Sequence, residues 1–264
     1  MIITDTILHR FRGIRAVYGE SAFRKFAAAH VFIAGVGGVG SWCAESLIRS
    51  GIGRITLLDC DTIEDSNSNR QLHTMQSSLG RLKAEVLAER FYDINPEAGI
   101  SVITEKLSAS NLKKCVPPDA DICIDAIDDL PVKAALISFV HRNLGKTIIV
   151  SGGAGGKTNP GMLKTADLAD SFNDALLSRL RSVLRREFGY PPAPAPMGLT
   201  AVFSSEKGIS GREASPEGSD IPPFGALMCV TASQGLMMGS EVLKRLAADP
   251  GASPAHMASV PSGT

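Results

Sequence analysis

The chain has 264 residues, which is long enough to bury a full hydrophobic core as one large α/β domain or as a domain with an appended lobe. Its hydrophobic fraction of 44% and charged fraction of 20% are typical of globular proteins. The 27 Lys and Arg residues are balanced by 27 Asp and Glu residues, which excludes a global basic field that would attract polyanions. A nucleic-acid partner would therefore have to be held by a local basic patch.

Cysteine usage and the longest apolar stretch bear on where the protein works. The five cysteines are scattered without a C-x-x-C pair, and no signal-peptide pattern precedes the first helical pattern. We therefore expect reduced thiols and a cytoplasmic location. The apolar stretch at residues 224–243 contains Thr231, Gln234 and Glu241, so we expect a buried helix there rather than a transmembrane one.

Helices and strands alternate through the first 150 residues. The first thirty residues have a helical pattern, and helical spacing returns after GVGGVG, in RLKAEVLAERFYDI and in PVKAALISFVHRNLG. Between these segments lie apolar, β-branched runs that predict buried parallel strands: HVFIAGVG, RITLLD, ISVITE, DICIDAID and TIIVSG. The alternation predicts an α/β fold with a doubly wound, mostly parallel, Rossmann-like sheet and right-handed crossovers.

After Ser151 the pattern changes, and we predict a C-terminal α+β extension. We expect SGGAGGKTNPGM to form a flexible loop, ADLADSFNDALLSRLRSVLRREFG a long helix, and PPAPAP and SSEKGISGREASPEGSD exposed, mobile connections. The predicted organisation is a nucleotide-binding region at residues 1–155, an extension that faces the substrate at residues 156–248, and a disordered tail at residues 249–264.

The glycine-rich segment GVGGVG joins the first predicted strand to a helix, which is the context that a nucleotide-binding loop requires. Gly35 and Gly37 allow a tight turn with the backbone close to a ligand, and Gly40 lets the helix pack near the sheet. Together with Gly38 they are the predicted nucleotide-binding glycines. Asp59 ends the second strand about twenty residues later, where a carboxylate can accept hydrogen bonds from ribose hydroxyls.

The segment after Asp59 favours ATP over a nicotinamide cofactor. Polar and charged side chains would converge there on the carboxyl edge of the sheet: Asp61, Asn67, Asn69, Arg70, Gln71, Lys83 and Asp128. Arg and Lys can neutralise charge on a phosphoryl group under attack, and Asn can donate hydrogen bonds to its oxygens. Asp128 is placed to hold Mg²⁺, directly or through water. The set suits displacement at phosphorus better than hydride transfer.

Each of these side chains also has a plainer interpretation when it is taken alone. Asn-rich loops are common turn formers, and Lys83 could be a solvated helix residue. Three acidic residues could simply cap the helix that opens at Pro131: Asp125, Asp128 and Asp129. The ATP hypothesis therefore depends on the combination of side chains at one edge, not on any single member.

The motifs GVGGVGSW, ITLLDCDTIEDSNSNRQ, GRLKAE and DAIDD closely resemble the adenylating domain of the ThiF/MoeB/HesA superfamily, relatives of the ubiquitin-activating enzymes. The resemblance implies that the chain binds ATP and Mg²⁺ and attaches AMP to a carboxylate with release of pyrophosphate. It implies the following roles: Asp59 binds ribose, Asn67, Arg70 and Lys83 contact phosphate, and Asp128 is the catalytic acid associated with magnesium. It also implies a homodimer in which Arg10 or Arg12 reaches the neighbour's nucleotide.

Within the superfamily the chain looks most like the tRNA threonylcarbamoyladenosine dehydratases, through RFRGIRAVYGE, SNRQLH, KAEVLAER, INPE and SGGAGG. This resemblance implies ATP-dependent cyclisation of N6-threonylcarbamoyladenosine in tRNA beside the anticodon. A monovalent cation (K⁺ or Na⁺) and partners from sulfur-acceptor or cysteine-desulfurase systems are compatible with it. Two alternatives stay open: an adenylyltransferase that activates the C-terminus of a small sulfur-carrier or ubiquitin-like protein, and a non-catalytic nucleotide-sensing module.

A tRNA partner would need a basic surface, and the predicted long helix offers one. Its arginines wrap around the helix rather than forming a single stripe: Arg179, Arg181, Arg185 and Arg186. Together with the basic N-terminal segment they could contact backbone phosphates. An equally good interpretation is that positive charges near the helix C-terminus complement the helix dipole.

Overall fold

The computed structural model describes residues 1–209 and 225–248. The tail predicted for residues 249–264 and most of the predicted connection at 204–220 lie outside the described residues. The strands are β1 His30–Ala34, β2 Arg54–Leu58, β3 Gly99–Ile103, β4 Ile122–Asp125, β5 Thr147–Ser151, β6 Leu163–Asp167 and β7 Thr200–Ser204. The helices are α1 Asp5–Arg10, α2 Arg12–Ala28, α3 Gly40–Ile48, α4 Lys83–Ile94, α5 Leu112–Cys115, α6 Leu130–Ser138, α7 Ala175–Phe188 and α8 Met228–Ala247.

One seven-stranded sheet organises the chain, with the order β3-β2-β1-β4-β5-β7-β6. Every neighbouring pair is parallel except β6 and β7, which are antiparallel. The predicted α/β fold with a doubly wound, mostly parallel sheet is therefore confirmed. The strand order reverses at β1, which pairs with β2 on one side and with β4 on the other. Open α/β sheets bind ligands at such a reversal, outside the carboxyl ends of the strands.

Both faces of the sheet are buried, which explains why the strands read as continuous apolar runs. Successive side chains of a strand point to opposite faces. Along β1, Val31 and Ile33 join the core beneath α2, α3, α4 and α8, whereas Phe32 and Ala34 join the core beneath α6 and α7. The sheet is therefore a rigid platform, and only its edges and loops are free to bind ligands.

From Met228 onward, the apolar stretch near the C-terminus forms helix α8, which buries one face: Val230, Thr231, Gln234, Met238 and Val242. Helix α8 crosses α3 so closely that a Cβ atom on Gly235 would lie 2.3 Å from the carbonyl oxygen of Val39. Gln234 is fully buried and donates hydrogen bonds to the carbonyl oxygens of Gly152 and Val202. Within the described residues, no helix combines the length and apolarity needed to cross a membrane.

The predicted helix over residues 166–189 is wrong in its first third. Strand β6 runs to Asp167, a 3₁₀ turn covers Leu168–Asp170, and α7 begins only at Ala175. The reason is local backbone geometry, because Asn173 has a φ of 54°, which no α-helix accommodates. Asp174 then caps α7 by accepting a hydrogen bond from the backbone N–H of Leu177 at 2.9 Å.

The C-terminal extension contributes to the same sheet as the rest of the chain. The apolar pattern alone did not reveal strands β6 and β7. Strand β7 lies beside β5, and β6 lies beside β7 at the edge of the sheet. Because β6 is antiparallel, its first residue, Leu163, pairs with the last residue of β7, Ser204. The amino end of β6 therefore lies at the same edge as the carboxyl ends of the parallel strands.

Candidate functional site

The glycine-rich loop after β1 is fixed by contacts that leave no room for side chains. Gly35 has a φ of 83° and donates a hydrogen bond to the carbonyl oxygen of Leu58 at 2.8 Å. A Cβ atom on Gly40 would lie 1.9 Å from the carbonyl oxygen of Gly35, so only glycine lets α3 start this close to the turn. Helix α3 thus begins at the carboxyl edge of the sheet, and a helix N-terminus favours a nearby anion.

Asp59 connects the end of β2 to this loop. Its Oδ2 accepts a hydrogen bond from the backbone N–H of Val36 at 2.8 Å, and its Oδ1 accepts one from Asp61 at 2.9 Å. Burial raises the pKa of Asp59, and the two backbone hydrogen bonds and the charge of Lys83 oppose that shift. A carboxylate has about four lone-pair sites, so it can still accept hydrogen bonds from ribose hydroxyls.

Lys83 is not a solvated helix residue, because its side chain is only 8% exposed at the start of α4. Its Nζ lies 2.9 Å from Oδ2 of Asp61, and its backbone N–H donates to the carbonyl oxygen of the same residue. The ammonium group is thus held in one place by a carboxylate that is itself 65% exposed. An incoming phosphate could share or replace that exposed partner.

His73 lies beside Lys83, and sequence analysis assigned it no role. Its side chain is 1% exposed, and neither ring nitrogen has a hydrogen-bond partner within the described residues. Burial, assisted by the charge of Lys83, lowers the pKa of His73 to about 4. The ring is therefore neutral near pH 7, and it limits the number of positive charges at this point of the edge.

The polar segment at residues 67–71 packs directly on the glycine loop. A Cβ atom on Gly38 would meet Cγ of Arg70 at 3.2 Å, and one on Gly37 would meet Nε2 of Gln71 at 3.7 Å. The backbone of this segment is anchored by the indole N–H of Trp42, which donates to the carbonyl oxygen of Arg70 at 3.2 Å. The structure therefore brings together the two motifs that the sequence separates by a helix and a strand.

The two asparagines of the segment have structural contacts. Asn67 is buried and accepts a hydrogen bond from the backbone N–H of Glu64, so it closes a 3₁₀ turn. Asn69 donates to the carbonyl oxygen of Ala226 at 2.7 Å and accepts from Arg70 at 2.8 Å. Asn69 thus orients the guanidinium group of Arg70, and Asn67 determines the shape of the turn that carries it.

The three acidic residues after β4 have three different environments. Asp125 is fully buried and forms an ion pair with the equally buried Lys133, with Oδ2 and Nζ 2.6 Å apart. Asp129 caps α6, accepting a hydrogen bond from the backbone N–H of Val132. Asp128 is exposed and follows β4, the strand beside β1. Of the three, Asp128 is the one free to face a ligand at the edge.

Lys133 was missed in the sequence analysis, although a lone lysine within the apolar run of α6 is a detectable signal. Its Nζ also donates to the carbonyl oxygen of Ile127 at 3.0 Å, and Asp125 accepts from the backbone N–H of the same residue. Burial raises the pKa of Asp125, and the charge of Lys133 opposes that shift. The pair therefore fixes the turn that carries Asp128.

The arginines of α7 are unequal in their freedom to contact a partner. Arg181 donates to the carbonyl oxygen of Ser171 at 2.9 Å, and Arg185 donates to that of Pro191 at 3.1 Å. Arg186 is exposed and pairs with the adjacent Glu187. Arg179 is exposed, with no ion pair or hydrogen bond of its side chain to the described residues. Three of the four arginines are thus engaged within the chain, two with backbone carbonyl groups and one with an exposed carboxylate.

No group of three or more His, Cys, Asp or Glu residues in the described ranges could hold a metal ion by itself. Mg²⁺ bound to a nucleotide needs only one or two protein carboxylates, because phosphates and water complete its shell. An exposed Asp128 at the edge fits that requirement.

Comparisons with known proteins agree with this geometry. The ThiF family profile matches residues 11–259, which is nearly the whole chain. This chain belongs to the ThiF family. It is 38% identical to the tRNA threonylcarbamoyladenosine dehydratase of Escherichia coli K12 over 261 residues, which cover 94% of this chain and 97% of that protein. It is 31% identical to the Bacillus subtilis protein of the same name, over 92% of this chain and 96% of that one.

Solved structures of the E. coli dehydratase show the same fold. The complex with ATP superimposes with a TM-score of 0.86 at 38% identity, covering 93% of this chain and 97% of that one. The complex of that protein with AMP gives a TM-score of 0.85 at 39% identity. As the site geometry suggested, this ThiF family member has relatives that hold an adenine nucleotide.

Proposed function

We propose that this chain is an ATP-dependent tRNA threonylcarbamoyladenosine dehydratase, an enzyme that cyclises N6-threonylcarbamoyladenosine beside the anticodon. The observation that carries the proposal is the nearly full-length likeness to the E. coli enzyme and its ATP complex. It is joined to a sheet edge where Asp59 and Arg70 contact a glycine loop and Lys83 pairs with Asp61. The likeness to the dehydratases extends through β6, β7 and α8, beyond the nucleotide-binding region alone.

The chemistry requires activation of a poor electrophile. A carboxylate oxygen of the substrate attacks the α-phosphorus of ATP, pyrophosphate leaves, and an acyl-adenylate forms. The carbamoyl group of the same side chain then attacks the activated carbonyl carbon, a proton is lost, and AMP leaves as the ring closes. The second step is intramolecular, so proximity supplies much of its rate.

Each side chain at the edge has a role in the proposal. The loop Gly35, Gly37, Gly38 and Gly40 cradles phosphate with its backbone, and Asp59 and Asp61 bind the ribose side. Arg70 and Lys83 stabilise charge that develops on the phosphoryl oxygens. Asn67, Asn69 and Gln71 shape the loop and donate hydrogen bonds. Mg²⁺, held by Asp128, would neutralise phosphate charge and orient the leaving pyrophosphate.

No enzyme nucleophile is needed for this route, and the thiols agree with that. Burial raises the pKa of Cys43 and of Cys123 to about 12. Burial and the adjacent Asp61 and Asp59 also raise the pKa of Cys60, the cysteine within the candidate site. A thioester intermediate needs an activated, electropositive thiol. The alternative, an adenylyltransferase for a small carrier protein, therefore gains no support from these three cysteines.

Several finer expectations belong to the proposal. We place the enzyme in the cytoplasm with its tRNA substrate and expect a homodimer, with Mg²⁺ and a monovalent cation as cofactors. Arg10 donates to the carbonyl oxygen of Ile94 of its own chain, whereas Arg12 is exposed. Arg12 is therefore the better arginine to reach a neighbour's nucleotide. Arg179 and Arg186 are the freer phosphate contacts on α7, and sulfur-acceptor or cysteine-desulfurase proteins are candidate partners.

Nucleoside analysis tests the proposal directly. The protein is incubated with ATP, Mg²⁺ and tRNA that bears threonylcarbamoyladenosine, and the digested nucleosides are analysed by mass spectrometry under conditions that preserve the cyclic product. We expect a nucleoside lighter by one water, formed only when ATP is present. Its absence, together with pyrophosphate exchange that depends on a small protein ending in Gly-Gly, would establish the carrier-protein alternative instead.

A further inference from the structure

An exposed phenylalanine lies at the same sheet edge as the candidate site, and no step of the reaction uses it. Phe172 is 47% exposed in the turn between β6 and α7. The turn is tied to the carboxyl end of β5, because Asp174 accepts a hydrogen bond from the backbone N–H of Gly153 at 2.9 Å. The ring therefore lies on the extension side of the edge, two residues from a direct contact with the loop after β5.

The turn that carries Phe172 is held by more contacts than an ordinary loop needs. Arg181 donates to the carbonyl oxygen of Ser171 on one side of the ring. On the other side, Lys157 donates to the carbonyl oxygen of Asn173 at 2.7 Å, and Asn173 donates to that of Ser205 at 2.8 Å.

Asn173 also has a left-handed backbone, with a φ of 54°. Strained residues persist where surrounding structure enforces them, and they cluster at binding sites. The hydrogen bonds on either side of Phe172 thus hold an exposed apolar ring in a fixed position.

A positive charge lies over the ring of Phe172. The Nζ of Lys164, an exposed residue near the amino end of β6, lies 5.5 Å from the centroid of the Phe172 ring. Arg181 lies at the neighbouring Ser171, and Arg179 is exposed on the outer side of α7. The ring packs edge-on against the buried Phe203, with centroids 5.8 Å apart and planes at 78°. Phe203 and Lys164 thus each contact the ring, and 47% of Phe172 stays exposed to solvent.

We propose that Phe172 and Lys164 form a stacking platform for an unpaired base of the tRNA anticodon loop. Sequence-tolerant recognition of single-stranded RNA combines an aromatic face for a base with cations for the flanking phosphates. Both are present here, at the carboxyl edge of the sheet that also carries the glycine loop. The inference rests on the proposed function, because it names how that substrate is held.

Steady-state kinetics with tRNA bearing threonylcarbamoyladenosine test the platform. We expect Phe172→Ala to raise the KM for tRNA by about 5- to 100-fold, the range typical of losing one stacked base, while ATP affinity stays unchanged. Phe172→Leu keeps the apolar contact with Phe203 but loses the aromatic face, so it should still raise the KM for tRNA. Phe172→Trp keeps an aromatic face, so its KM should stay near the wild-type value. Lys164→Ala should reduce the slope of log K for tRNA binding against log salt concentration by about one, the change expected when one phosphate contact is lost.

Tyr92→Ala is the matched control, because Tyr92 is also 47% exposed but lies on α4, at the far end of the sheet. A KM for tRNA that is unchanged in Phe172→Ala would overturn the platform. So would loss of the dimer in that variant, which would make the ring a contact between subunits. If the wild-type chain forms no cyclic nucleoside, the proposed function is wrong whatever the variants do. Filter binding of unmodified tRNA then tests the platform separately: weaker binding by Phe172→Ala than by wild type supports it, and equal binding contradicts it.

Discussion

The two halves of the sheet edge are built in different ways. The nucleotide half consists of the loops after β1, β2 and β4, and its chemistry lies in short sequence motifs such as GVGGVG and SNRQ. The extension half consists of the loop after β5, the turn at residues 168–174 and the segment after β7. It is assembled from contacts between distant residues, such as the Glu206 carboxylate, which accepts hydrogen bonds from the backbone of Thr158 and Asn159.

Under the proposed function, the two halves would bind different ligands. A triphosphate is small, so backbone N–H groups and a few charges at fixed spacings suffice to bind it. An RNA loop is larger and offers faces and phosphates in many arrangements, so side chains on several elements can meet it. We therefore expect variants of the nucleotide half to affect activation, and variants of the extension half to affect tRNA recognition.

The largest expected effect comes from the buried ion pair beneath the nucleotide half. Lys133→Met leaves Asp125 as a buried, unpaired carboxyl group, so it should lower the free energy of unfolding by about 3–5 kcal/mol. The double variant Asp125→Leu, Lys133→Met removes both charges and should recover most of that loss. Urea denaturation measures both changes, with the exposed Lys113→Met as control, for which a change within about 0.5 kcal/mol is expected. Equal stability of Lys133→Met and wild type would show that the pair is not structural.

The sequence predicted the nucleotide half of the edge better than the extension half. The parallel sheet, the glycine loop and its meeting with Arg70 and Gln71 follow from local patterns, because the carboxyl ends of parallel strands share one edge. The helix predicted from residue 166 was wrong because a single left-handed residue, Asn173, outweighs a helical composition. Strand β6 stayed hidden because it is an edge strand whose residues, LKTAD, are only partly buried and form no continuous apolar run. Strand β7, TAVFS, is a short apolar run that the same pattern could have revealed. The burial of His73 depends on tertiary packing that no local pattern records.

The second prediction concerns Lys83 in the nucleotide half and its effect on kcat. Under the proposed function, Lys83→Ala should lower kcat about 10²- to 10³-fold, because it removes the cation to which the proposal assigns stabilisation of phosphoryl charge. Its partner Asp61 is 65% exposed, so the fold should lose little stability. Arg81→Ala is the control, since Arg81 is a nearby cation that is exposed and pairs with Glu89 instead. Nucleoside formation under tRNA saturation measures the effect, and a normal kcat in Lys83→Ala would remove the role assigned to it.

His73 makes the nucleotide half sensitive to acid. Its pKa falls to about 4 in the folded state, whereas an unfolded histidine titrates near about 6.5. Between these values the unfolded chain binds a proton that the folded chain does not, so stability decreases as pH falls from about 6.5 towards 4. We expect the histidine to account for about 2 kcal/mol of the loss between pH 7 and pH 5.

Comparison of urea midpoints at pH 7 and pH 5 tests this for wild type and His73→Leu. The variant should lose about 2 kcal/mol less on acidification, whatever its stability at pH 7. His9→Leu, an exposed position on α1, controls for the removal of a histidine as such. The same pH dependence in wild type and His73→Leu would contradict the buried, neutral ring.

The smallest expected effect tests whether the extension half stores backbone strain. Asn173→Ala places a less tolerant residue at a φ of 54° and also loses the hydrogen bond to Ser205, so it should destabilise the fold by about 1–2 kcal/mol. Asn173→Gly loses the same hydrogen bond but relieves the strain, and should be the more stable variant of the two. If both lose equal stability in urea denaturation, the left-handed backbone is not strained. The rigid presentation of Phe172 would then rest on hydrogen bonds instead: those of Lys157 and Arg181 to the residues on either side of it, and that of Asp174 with Gly153.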